Sequence, residues 1–267
     1  MFFPIRDDNP HTKTPIVTYA LIALCVVVFL WQKSLGGDAA RIAVLAYGII
    51  PADLFGTAEI HPIIAPLPAW MTMFTYMFLH GGWLHLGGNM LYLWIFGDNV
   101  EVSMGRGRFL LFYLLCGLAA ALTQSIAAPG STVPMVGASG AVAGVLGAYF
   151  LLHPFANIRV LVWLIIFFFM INVPAWIVLG FWFLGQLISQ AGADPGEPGV
   201  AFLAHIGGFI TGLALIFKMR KPGVRLFARR ASRPFEMKSG RTARRRSGGS
   251  VPSSGSGEQG PRKGPWG

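Results

Sequence analysis

The 267-residue chain is 54% hydrophobic and only 12% charged, with a mean hydropathy of +0.59. Soluble domains carry about a quarter charged residues, so these figures exclude an ordinary soluble globular protein and a largely disordered one. The net charge of +10 does not describe a nucleic-acid-binding surface, because 14 of the 21 Lys and Arg fall between Lys218 and Lys263.

Residues 1–14 are polar, with Arg6, Asp7, Asp8 and Lys13, and show neither the apolar core nor the cleavage site of a secretory signal. The first apolar run is Pro15–Trp31 and contains Cys25, which with Cys116 is expected to be an inert packing residue. A loop from 34 to 68 follows, amphipathic around Ile42, Val44, Leu45, Ile49 and Ile50, which predicts an interfacial element. Further apolar runs cover about 71–96, 109–128, 137–152, 174–190 and 200–217. Each is near the roughly 17–25 residues that cross a bilayer core. The run Ile158–Ile171 is too short at 14 residues and is expected to be interfacial or buried. Charge bias agrees. Six spans with the N-terminus inside put 19 cations on the inner side and only Lys33 and Arg41 outside. The expected fold is therefore an all-α polytopic bundle of six transmembrane helices over 15–219, with both termini cytoplasmic. Residues 220–267, rich in Arg, Ser, Gly and Pro, are expected to form a disordered basic tail, with Arg241 and Arg244–Arg246 available to anionic lipid.

Polar residues inside apolar spans are costly to bury and therefore informative. None of these six runs contains an interior Asp or Glu, which argues against proton relays and ion-coupled transport. The second run holds His80-Gly81, then His85 and Asn89, which are four apart and share a helix face. The fourth opens with Gly137-Ala138-Ser139-Gly140, and the sixth contains Ala204-His205-Ile206-Gly207-Gly208. In the six-span topology these three runs cross in the same direction. Ser139 and His205 then sit roughly 5–10 Å below the outer boundary, at about the level of His85 and Asn89. Gly140, Gly144 and Gly147 on one helix and Gly208 and Gly212 on the other allow the close approach that a Ser–His hydrogen bond requires.

A neutral histidine can take the proton of a serine hydroxyl near pH 7, and a helix N-terminus favours the negative charge that develops. Asn89 and His85 can supply oxyanion donors. With no carboxylate to orient the base, this is a dyad and not a triad. His80, Gly137 and Gly208 are expected to support the site. His11, His61 and His153 fall in loops or at span ends and are expected to do nothing chemical. A metal site drawn from His80, His85 and His205 has no carboxylate or thiolate partner nearby, so neither metal nor cofactor is expected.

At these residues the sequence resembles the rhomboid family of intramembrane serine proteases, over about residues 1–217. The motifs that carry the resemblance include Pro4-Ile5-Arg6-Asp7, His80-Gly81 through His85 to Asn89-Met90, and Gly137-Ala138-Ser139-Gly140. Val173-Pro174-Ala175-Trp176 and Ala204-His205-Ile206-Gly207 complete them. The resemblance implies Ser139 as nucleophile and His205 as general base, with His85, Asn89 and the Ser139 backbone N–H as the oxyanion hole. It implies hydrolysis of transmembrane protein substrates near their outer ends, a structured first loop and a lateral gate around span five. Two features depart from some family members. Trp70-Met71-Thr72 stands where a Trp-Arg pair can occur, and Ala143 where a tyrosine can stack on the base. The polar N-terminus suggests a bacterial plasma membrane. A silent rhomboid-like adaptor that binds client helices is the competing expectation, and intact Ser139 and His205 argue against it. A channel or transporter is disfavoured by the carboxylate-free spans.

Overall fold

A computed structural model of the chain describes residues 2–9, 13–58, 66–164, 166–193 and 199–228. His11, His61 and the basic segment from Arg229 onward lie outside the described residues. The described chain is mostly helical. Strand β1 (Phe2–Asp7) leads into α1 (Ile16–Leu35), and the first loop then folds as α2 (Gly37–Tyr47) and α3 (Pro51–Leu54). Next come α4 (Ala69–Thr75), a 3₁₀ turn at Tyr76–Phe78, α5 (Trp83–Met104), α6 (Arg106–Ala127) and α7 (Ser139–Leu152). Strands β2 (Asn157–Leu164) and β3 (Phe167–Pro174) precede α8 (Ala175–Ala191) and α9 (Phe202–Met219). Helices α1, α6 and α9 are long and apolar enough to cross a membrane, while α7 and α8 are apolar but shorter.

Helix α7 forms the centre, in contact with α5, α6 and α9. Its Gly and Ala residues remove the side chains that would hold neighbours away, and nearly the whole helix is buried. A Cβ added to Gly208 on α9 would overlap the carbonyl oxygen of Gly140. One added to Gly212 would overlap that of Gly144 and come within 2.6 Å of its carbonyl carbon. In lipid no apolar driving force separates helix contacts from tail contacts, so backbone approach of this kind supplies the packing. Helix α8 is peripheral, with only Ala175 and Leu179 buried.

Three elements differ from the sequence expectation. First, the all-α reading is corrected by a three-stranded antiparallel sheet of order β1-β2-β3, in which Asp7 pairs with Ile158 and Leu164 with Phe167. The apolar run at 158–171 thus forms most of a hairpin. Ile158, Val160 and Val162 of β2 are buried, whereas β3 is exposed from Phe167 to Asn172. Second, the run 71–96 is not one helix. The 3₁₀ turn and the extended Leu79 break it, and a new helix starts at Trp83 and runs on to Met104. That helix carries Asp98 and Glu101 in its last two turns, both buried. Glu101 caps the start of α1, accepting hydrogen bonds from the backbone N–H of Val17 (3.1 Å) and of Thr18 (2.8 Å) and from the Thr18 hydroxyl (2.8 Å). Third, residues 220–228, read as the start of a disordered tail, are tied to the helices. The Lys221 ammonium donates to the Val102 carbonyl and the Phe227 N–H to the Leu151 carbonyl.

The N-terminal strand is held by a polar cluster. The Asp7 carboxylate accepts from the Tyr149 hydroxyl (2.6 Å) and the Asn99 amide (2.9 Å), and Asp8 accepts from the backbone and side chain of Asn157. Burial pushes the Asp7 carboxyl up to about 7. The Tyr149 hydrogen bond opposes that rise, while the neighbouring Asp98 and Asp8 add to it.

Candidate active site

A cavity of about 700 Å³ opens among α5, α7, α8 and α9 and is lined by Ser139, His205, His85, Asn89 and Gly137. Ser139 is the first residue of α7, His85 the third of α5 and His205 the fourth of α9. Three helix starts therefore deliver their polar groups to one end of the bundle. Every one of these ends carries N–H groups without helical carbonyl partners and the positive end of a dipole. Ser139, His85 and His205 are half-buried, whereas Asn89 is buried.

The loop before Ser139 is fixed by its backbone. The Gly137 N–H donates to the Tyr76 carbonyl at 2.9 Å, and Gly137 has φ +133°, a conformation that disfavours any side chain. Space forbids one as well. A Cβ at Gly137 would lie 2.7 Å from Nε2 of His85 and 3.7 Å from the Ser139 hydroxyl. The same figures put the His85 ring beside the serine. On its other side, Nδ1 of His85 accepts from the Gly81 N–H at 3.4 Å, which assigns the ring proton to Nε2, the nitrogen facing Gly137. Among the described residues, the Asn89 side-chain nitrogen is buried without a hydrogen-bond partner, an unspent donor at the cavity wall.

His80 lies in the break between the 3₁₀ turn and α5. Its backbone N–H donates to the Gln32 side-chain oxygen at 3.0 Å, while its ring packs edge-on against His85 at 5.3 Å. It does not line the cavity; it buttresses a residue that does. Gly208 likewise acts at one remove, through its contact with Gly140 next to Ser139. The His153 ring lies 5.3 Å from that of Tyr149, tilted at 59°, at the far end of α7 away from the cavity. Among the described residues no group of three His, Cys, Asp or Glu is arranged to hold a metal ion. Cys25 and Cys116 are buried thiols.

Two residues of α8 escaped the sequence reading. Trp182 lies 6.0 Å from the His205 ring at an interplanar angle of 37°, an aromatic face supplied from α8 where Ala143 of α7 supplies none. The Gln186 amide oxygen lies 2.7 Å from Nδ1 of His205. The available signal was a Gln well inside an apolar run with a Trp four residues before it, on the same helix face.

Comparison with known proteins agrees with this architecture. The Rhomboid domain profile matches residues 68–222, more than half of the chain. The chain is 35% identical over 134 residues to Rhomboid protease GluP of Bacillus subtilis, covering 50% of this chain and 24% of that protein. It is 29% identical over 164 residues to the chloroplastic Rhomboid-like protein 11 of Arabidopsis thaliana, covering 58% of this chain and 54% of that one. Against Rhomboid protease GlpG of Klebsiella pneumoniae the identity is 27% over 221 residues, or 80% of this chain and 67% of the relative. The chain thus spans about a quarter of the first relative and about half of the second. Matched over more than half its length and carrying the apolar helices α1, α6 and α9, this chain belongs to the rhomboid family of integral membrane proteins.

Proposed function

We propose that this protein is a serine endopeptidase that cleaves transmembrane substrates within the membrane, with Ser139 as nucleophile and His205 as general base. The observation that supports this most is that Ser139, His205, His85 and Asn89, whose side-chain nitrogen is unpartnered, all line one cavity. In this reading His205 Nε2 takes the hydroxyl proton as Ser139 Oγ attacks the scissile carbonyl carbon. The resulting oxyanion is met by the Ser139 N–H, the His85 Nε2–H and the Asn89 amide, all present before the charge develops. The C–N bond then breaks as His205 returns the proton to the departing amine. Water repeats the cycle on the acyl-enzyme, losing a proton to His205 and releasing Ser139 and the carboxylic acid product.

The reading includes six spans, α1 and α5 to α9, with both termini on the cytoplasmic side, resting on the 19-to-2 distribution of cations. Helices α5, α7 and α9 then begin at the outer face, and cleavage falls near the outer end of the substrate helix. The basic segment beyond residue 228 would lie on anionic lipid headgroups.

Fluorophosphonate labelling of the purified protein, compared with Ser139→Ala and His205→Ala, tests the chemistry. Labelling of wild type lost in both variants supports a base-activated serine. Folded wild type that neither labels nor cuts a model transmembrane substrate in lipid leaves the adaptor as the better reading.

A further inference from the structure

We propose that Gln186 is the positioning residue of the base, fixing His205 in the tautomer that carries its proton on Nδ1 and presents the Nε2 lone pair to Ser139. This rests on the dyad reading above and concerns how the base is held in it. The geometry carries the assignment in two steps. The Gln186 side-chain nitrogen lies 3.3 Å from the Trp182 carbonyl oxygen, one turn back on α8. A carbonyl only accepts, so the NH₂ end of the amide faces Trp182 and the oxygen end faces His205. Nδ1 of His205 is 2.7 Å from that oxygen, and an amide oxygen also only accepts. The ring proton therefore resides on Nδ1. In a neutral imidazole this leaves Nε2 as the acceptor, the state a general base for serine requires.

The two histidines of the cavity thereby take opposite tautomers, each set by a neighbour. His85 has its Nδ1 occupied by the Gly81 N–H and offers Nε2–H as a donor, while His205 has its Nδ1 occupied by Gln186 and offers Nε2 as an acceptor. The neutral amide performs the orienting task that a carboxylate performs in a triad, without placing a charge in a low-dielectric site. Trp182 assists from the same helix face by covering the ring. The orientation of the base therefore comes from α8, the most weakly buried of the apolar helices around the cavity, while the base itself sits on α9.

Kinetics with a model transmembrane substrate in liposomes test the assignment, with Ser139→Ala as the control that the cleavage is this protein's own. Gln186→Leu keeps the bulk and removes the acceptor. The expected result is a fall in kcat of roughly 10- to 100-fold with KM unchanged, by analogy with loss of outer hydrogen bonds to ligand histidines. Gln186→Glu restores the acceptor, and its expected result is recovered kcat with the acid limb of the pH profile moved to higher pH, as a carboxylate beside the ring favours imidazolium. The other titratable side chains lining the cavity are His85 on α5, Tyr92 on α5 and Tyr76 in the 3₁₀ turn, and they are common to all variants. Gln186→Leu with wild-type kcat and an unmoved Glu variant would overturn the proposal while leaving the protease reading intact. Wild type that fails to cleave overturns the protease reading instead. ¹⁵N NMR of histidine-labelled wild type, with the His205 signals assigned by their loss in His205→Ala, decides the matter without a Gln186 variant. A protonated Nδ1 and unprotonated Nε2 support the proposal, and the reverse pattern refutes it.

Discussion

Replacing Gly208 with alanine probes the contact that brings α7 and α9 together. Its Cβ would overlap the Gly140 carbonyl oxygen and lie 2.9 Å from the carbonyl carbon. Both are backbone atoms, so no rotamer change relieves the clash, and the two helices must separate by about 1 Å locally. Gly140 follows Ser139 directly, and His205 is three residues before Gly208 on the same helix. In the proposed mechanism the separation therefore opens the Ser139–His205 pair itself. A misplacement of about 1 Å costs on the order of 100-fold in rate, and overpacking of this kind costs about 1–3 kcal/mol of stability. Gly212→Ala makes the equivalent clash with Gly144 one turn further from the site. It is expected to lose similar stability with a smaller loss of kcat. Gly180→Ala on α8, where no atom lies within 4 Å of the added Cβ, is the neutral control. Thermal unfolding in detergent and cleavage of a lipid-embedded substrate give the two readouts. If Gly208→Ala cleaved and unfolded like Gly180→Ala, the argument that this glycine seam sets the site would be wrong.

Asn89→Ala removes a donor that the proposed mechanism assigns to the oxyanion, and is expected to lower kcat by about 100- to 1000-fold with KM nearly unchanged, read from initial rates over a range of substrate densities. Glu101→Ala strips three hydrogen bonds from the start of α1. It should destabilise by about 2–3 kcal/mol in thermal unfolding, while fluorophosphonate labelling of the folded fraction persists, because Glu101 does not line the cavity. Asp7 gives a pH dependence of stability. Its carboxyl binds a proton more tightly in the folded chain (about 7) than in the unfolded one (3.8), so stability is greatest below 3.8 and is lost as pH rises through 7. The loss is of order 1–3 kcal/mol, since the group retains some water access. Unfolding curves at pH 5 and pH 8 should differ more for wild type than for Asp7→Asn, and equal differences would contradict the burial argument.

The candidate site was largely legible because membrane burial makes every polar residue stand out. Ser139, His85, Asn89 and His205 each interrupt an apolar run, and the glycines beside them mark where helices touch. The apolar helices α1, α6 and α9 were legible for the same reason. The hairpin was not. Its strands are apolar on both faces, so neither a period of two nor one of 3.6 emerges, and its partner β1 lies about 150 residues away in sequence. The break at Leu79–Gly82 was masked by the apolar residues on either side of it, which read as one span. Asp98 and Glu101 fell outside the apolar run that ended at 96. The partner of Glu101 is the start of α1, which local sequence does not reveal. Gln186 shows the limit most clearly. Its amide was visible inside an apolar run, but its pairing with His205 depends on how α8 seats against α9.

The most direct test of the account is cleavage of a single-span model substrate by purified protein in liposomes, followed by sequencing of the product ends. The account predicts cleavage by wild type at a position near the outer end of the substrate helix and none by Ser139→Ala or His205→Ala. Cleavage that survived Ser139→Ala, or its absence in folded wild type, would contradict it.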